Sequence, residues 1–272
     1  MLALPKELLP EPCPKDRSGA YIRFDGVSLS YGGAPALQNV SFSLKKGGSL
    51  GVIGATGSGK SSLVALLMRF YDASEGAVYV GGENVKSYEP KALREKFGVV
   101  FQNDFLMASS VRENIDFERG VPEEDVRRAA AYARADQFIG YHGGYESALT
   151  ARGSNFSGGQ KQRLLIARAL AASPEIRVLD DSSSALDYKT DAELRKTLLG
   201  DLRGTTVIMI AQRISSVRFA DSILVLDGGR AVGFGTDAEL MQTCAEYRAI
   251  YASQHGEEVS EVSKGGECRA DE

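Results

Sequence analysis

Two early segments, YIRFDGVSLSY (21–31) and LQNVSFSLK (37–45), alternate apolar and polar positions. That period of two predicts half-buried antiparallel strands. SLGVIG (49–54) is apolar without interruption, as a strand covered on both faces would be. Glycines follow, and then KSSLVALLMRF (60–70) takes helical spacing. Strand, glycine loop and helix in that order open a parallel α/β unit. FGVVF (97–101) predicts another strand, after which strand signals stop. PEEDVRRAAAYARADQFI (122–139) and GGQKQRLLIARALAA (158–172) read as helices, so about 103–174 is expected to be a helical lobe inserted into the α/β core. Core strands resume at 176–180, 205–210 and 221–226. Residues 1–19, rich in proline and charge, predict a linker or arm. From about His255 the chain is polar, acidic and glycine-containing, which predicts disorder. There is no internal repeat.

Composition narrows the picture. With 272 residues, 43 % hydrophobic and 25 % charged, the chain fits a globular protein with ample core and no need of disulfides. Cys13, Cys244 and Cys268 are odd in number and lack metal spacing, so free thiols in a reducing compartment are expected. A net charge of −4 without a basic run disfavours a nucleic-acid partner. No apolar run approaches the roughly 18 residues needed to cross a bilayer, so a membrane role would be peripheral or through a partner.

GATGSGKS (54–61) fits G-x-x-x-x-G-K-[ST] between a strand and a helix. In such a loop backbone N–H groups cradle phosphates and the helix adds its positive end. Gly54, Thr56, Gly57, Ser58, Gly59, Lys60, Ser61 and Ser62 are the candidate nucleotide-binding residues. Lys60 would supply charge at the β/γ oxygens, and the Ser61 hydroxyl would ligate Mg²⁺.

RVLDDSSSALD (177–187) reads as a buried strand ending in two aspartates. Upstream of it, SGGQKQR (157–163) resembles the signature of ATP-binding cassette (ABC) ATPase domains. The resemblance runs from about 20 to 252, with motifs in the family's order. It implies a RecA-like P-loop core with an antiparallel β subdomain and an inserted helical subdomain. It also implies ATP and Mg²⁺ as ligands. Tyr31 stands where the family stacks an aromatic on adenine, and Gln102 matches the loop glutamine that touches Mg²⁺. Asp180 matches the Mg²⁺-linked aspartate, so Ser61, Gln102 and Asp180 form the implied metal set. Ser157, Gly158, Gly159, Gln160 and Asp187 would act in trans, on ATP held by a second ATPase subunit in a head-to-tail dimer. FLMASSVRENI (105–115) and SALD (184–187) look like exporter half-transporters. The exporter branch implies transmembrane partners, a place at the cytoplasmic face of the membrane, and an arm that joins membrane helices to the ATPase.

Three positions depart from the family. Asp181 replaces the glutamate that polarises attacking water, Gln212 replaces a switch histidine, and Ala151 replaces an acid frequent in exporters. Asp181, Gln212 and Gln102 are thus a degenerate catalytic set, with a carboxylate set back by about 1.5 Å. Heterodimeric ABC exporters pair one degenerate site with one competent site, and an intact SGGQ beside Asp181 and Gln212 fits the degenerate partner. The alternatives are a competent homodimeric transporter ATPase and a soluble ABC ATPase of repair or translation; the chain lacks the coiled-coil insertion or second cassette of the latter.

Overall fold

The computed structural model describes residues 8–181, 185–201 and 204–255. The start of the arm (1–7), Ser184 of SALD and the tail expected to be disordered (256–272) lie outside them. In chain order, β1 (Ile22–Ser30) and β2 (Pro35–Leu44) precede β3 (Ser49–Ile53) and α1 (Lys60–Leu67). β4 (Glu75–Val80), β5 (Glu83–Asn84), α2 (Pro90–Arg94) and β6 (Phe97–Val100) follow. Then come α3 (Val111–Asp116), α4 (Glu123–Tyr132), α5 (Asp136–Tyr141) and α6 (Gly158–Ala171). The chain continues through β7 (Ile176–Asp180), α7 (Tyr188–Lys196), β8 (Thr206–Ala211), α8 (Ile214–Val217) and β9 (Ser222–Asp227). It closes with β10 (Arg230–Gly235), α9 (Asp237–Thr243) and α10 (Ala245–His255).

The strands form two sheets. β2-β1-β4-β5 is antiparallel, while β10-β9-β3-β8-β7-β6 is parallel except for its edge strand β10. The alternation in β1 and β2 has its expected outcome: Phe24 pairs with Phe42, and their rings stack at 4.7 Å. Strands β3, β7 and β8 are buried at every position, as strands covered on both faces must be, although β7 carries Arg177 among its apolar residues and ends on Asp180. One core lies between the two sheets and contains Leu63, Val64, Leu66 and Leu67 of α1. The other lies on the opposite face of the parallel sheet, under α6, α8 and the helices between β6 and β7. Among the described residues the regular structure of that intervening segment is helical, joined by turns and loops, apart from one isolated bridge, Ser110 to Ala148.

Sequence pattern missed β4, β5 and β10. β4 opens on Glu-Gly, β5 has two residues, and β10 is an exposed edge with two glycines, so none shows clear alternation. Helix α1 stops at Leu67 rather than running to 70, because Arg69 takes a left-handed backbone (φ 51°). The Arg69 guanidinium is fully buried and donates to the carbonyls of Leu9, Lys86 and Tyr88. The described part of the arm is thereby tied to the antiparallel sheet, with Asp16 adding a bond to Gly82 and an ion pair to Arg23.

Candidate nucleotide site

The four strands β3, β8, β7 and β6 are neighbours in the parallel sheet, and each ends at the same edge. Open α/β sheets collect ligands at that carboxyl edge. β3 leads into the glycine loop, β8 into Gln212, β7 ends at Asp180 with Asp181 next, and β6 leads to Gln102. Topology therefore brings together residues far apart in sequence, such as Thr56 and Gln212, 156 positions apart. Thr56, Gly57, Gly59, Lys60, Ser61, Ser62, Gln102, Asp180, Asp181 and Gln212 line one cavity of about 230 Å³. Ala36, Ile210 and Ala211 complete its wall. Those three were not legible beforehand, because they contribute position rather than chemistry.

The loop's shape requires its glycines. Gly59 has φ 102°, and a Cβ there would lie 2.6 Å from the Ala36 carbonyl oxygen. A Cβ on Gly54 would lie 2.1 Å from the Leu226 carbonyl oxygen. Helix α1 starts on Gly59 with no side-chain cap and no acid in its first turn. By contrast α3, α6 and α9 each carry a reciprocal capping box. The first-turn N–H groups of α1 have no intrahelical acceptor, so they suit an anion. Lys60 Nζ donates to the carbonyls of Gly54 (2.8 Å) and Ala55 (2.7 Å), both neutral partners within its own loop. Burial pushes the Lys60 ammonium below its ordinary range, against the pull of Asp180 and Asp181. Burial, then the Asp181 charge, raises the Asp180 carboxyl, and Lys60 opposes this. A cationic lysine, orphan N–H donors and a glycine cradle fit a polyphosphate. The hydroxyl of Ser61, the amide of Gln102 and the carboxylate of Asp180 are hard oxygen donors of the kind Mg²⁺ takes.

Tyr31 lies at the margin of the site, half exposed, with its hydroxyl 3.2 Å from Ser62 Oγ and its ring edge-on to Tyr71 at 4.8 Å. Asp181 takes a left-handed backbone (φ 49°), and its N–H donates to Ile210. Gln254 of α10 donates to the Gln212 carbonyl (2.7 Å) and accepts from the Ile214 N–H (2.9 Å). This clamp has no sequence signal, since it joins residues 42 positions apart.

The signature residues form a second, exposed group outside that cavity. Ser157 accepts from the Gln160 N–H while Gln160 Oε1 accepts from the Ser157 N–H, so both side chains cap α6. Gly158 and Gly159 pack beside Ala185, and Asp187 caps α7 through Thr190.

Comparison with known proteins identifies the family to which this fold belongs. The profile of the family described as ABC transporter matches residues 37–184. An uncharacterized ABC transporter ATP-binding protein of Bacillus subtilis, YknU, is 40 % identical over 250 residues, covering 90 % of this chain and 43 % of the relative. The ATP-dependent lipid A-core flippase of Vibrio vulnificus is 36 % identical, covering 89 % of this chain and 42 % of its own. Among solved structures, a bacterial Atm1-family ABC exporter with ATP bound superposes with a TM-score of 0.84 and 32 % identity, over 91 % of this chain and 44 % of that one. The chain thus spans less than half the length of these relatives. With its RecA-like P-loop core, antiparallel β subdomain and inserted helices, the chain belongs to the ABC transporter family, as an ATP-binding domain.

Proposed function

We propose that this chain is the nucleotide-binding part of an ABC exporter, residues about 20–252, that dimerises head-to-tail with a non-identical ATPase subunit around MgATP. Residues 1–19 are the arm toward transmembrane partners, 253–272 are a polar tail, and the domain works at the cytoplasmic face of the membrane without nucleic acid. The observation that carries the reading is a contrast between two groups of residues. Asp181 and Gln212 share one cavity with an intact phosphate loop, while the intact signature lies outside it.

In this reading Lys60 and the first turn of α1 hold the phosphates, Tyr31 supports the base, and Ser61, Gln102 and Asp180 hold Mg²⁺. Bound Mg²⁺ neutralises charge on the phosphate oxygens. Asp181 is one methylene shorter than glutamate, and a misplacement of about 1 Å in a catalytic constellation costs on the order of 10²-fold. Gln212 donates a hydrogen bond but carries no charge and moves no proton. This site binds ATP and cuts it slowly. Ser157 to Gln160 and Asp187 complete the partner's site, where glutamate and histidine do the cutting.

The test is steady-state turnover of the chain at concentrations that permit dimerisation, alone and with Asp181→Glu plus Gln212→His. Negligible wild-type turnover with a gain of about 10²-fold in the double variant is expected. Robust wild-type turnover would instead make the chain a competent homodimeric ATPase.

A further inference from the structure

Strand β7 alternates faces, with Ile176 and Val178 in the core between the sheets and Leu179 in the core on the other side. Arg177 shares the face of Leu179, where an apolar residue would continue the pattern. It is 5 % exposed, and neither its Nε nor its Nη1 has a hydrogen-bond partner. A cavity of about 100 Å³ opens beside it, walled by α4, the end of α6 and Ser173. Asp125 and Arg128 also line this cavity, but they are paired with each other, with Asp125 in the first turn of α4. A helix N-terminus favours a carboxylate there. That pair is net neutral, so Arg177 sets the charge of the cavity. Burial pushes its guanidinium down to about 10, which leaves it protonated at neutral pH.

A buried cation without a counter-charge is strongly unfavourable, and native proteins resolve such groups with water or an ion. Water fits the volume, roughly three molecules at about 30 Å³ each, but supplies no counter-charge. We propose that this cavity binds a small inorganic anion of chloride size, held by the Arg177 guanidinium with the hydroxyls of Tyr132 and Ser173 as further donors. The bound anion ties α4 and the end of α6 to β7, three residues before the Asp180 end of that strand. The site is independent of the nucleotide cavity and of the transport reading.

The experiment follows the thermal midpoint of the 272-residue chain as chloride replaces gluconate at constant ionic strength. Gluconate is too large for a cavity of about 100 Å³. The wild-type midpoint is expected to rise by about 3 °C or more, as for any ligand that binds only the folded state. Arg177→Met should be at least as stable as wild type in gluconate and should not respond to chloride. Parallel responses of the two proteins, or no rise in wild type, overturn the proposal. If Arg177→Met does not fold, crystals of the wild type grown with bromide decide. Anomalous density within hydrogen-bond reach of the Arg177 guanidinium supports the site, and its absence there refutes it.

Discussion

Asp181 shows how one backbone angle and one methylene bear on the same site. Its left-handed φ of 49° is a conformation that aspartate and asparagine take more readily than longer side chains. The short acid is therefore at ease where it stands, at the cost of reach toward a γ-phosphate. Lys60 has the opposite character, a half-buried cation that donates to the neutral carbonyls of Gly54 and Ala55. Removing its charge should remove phosphate affinity, so Lys60→Ala is expected to abolish MgATP binding in calorimetry, and undiminished affinity would contradict the assignment. Tyr31→Ala should weaken binding by only about 2- to 10-fold, the range of a single stacking contact. The phosphate loop was legible in sequence as a motif because its chemistry is contiguous, although Gly54 and Ser58 do not line the cavity with the rest of the loop. Tyr31 was legible as a position but not as a geometry, since its edge-on contact with Tyr71 depends on a turn 40 residues away.

Elements explain what the residues do not. β3, β8 and β7 announced themselves as buried apolar strands, whereas β4, β5 and β10 hid behind glycines, short length and exposure. Contacts between distant elements left no trace in the pattern. The α10 clamp is one: Gln254 holds both the Gln212 carbonyl and the Ile214 N–H. Gln254→Leu should make the Ile214 amide exchange about 5-fold faster, the equivalent of one lost hydrogen bond, and unchanged exchange would rule the clamp out. Glu175 is another, joining Lys96 (2.6 Å) before β6 to Tyr21 (2.7 Å) before β1. Lys96, then Tyr21, hold its carboxyl below the usual carboxylate range. A depressed carboxyl contributes stability that is present above its unfolded value of about 4.3 and lost as pH falls through the folded one. The thermal midpoint of wild type should therefore exceed that of Glu175→Gln at neutral pH, and the two curves should converge in acid. Parallel curves would show that the network carries no linkage.

At the scale of the whole molecule, the two groups of family residues lie apart. One lines the cavity at the carboxyl edge of the parallel sheet, and the other caps α6 and α7 outside it. In the proposed asymmetric dimer these groups serve different ATP molecules, so damage to each should have different consequences. Ser157→Arg would put bulk and a long side chain against the γ-phosphate held by the partner, where donors stabilise developing charge. Asp181→Asn would alter a site that is not the one turning over. The deciding measurement is steady-state ATPase of the reconstituted complex of this chain's full-length subunit and its partner, carrying each change separately. Ser157→Arg should reduce turnover by on the order of 10²-fold or more, the cost of losing such stabilisation, while Asp181→Asn should leave most of it. Equal losses from the two changes would contradict the asymmetric account and assign hydrolysis to this chain's own site.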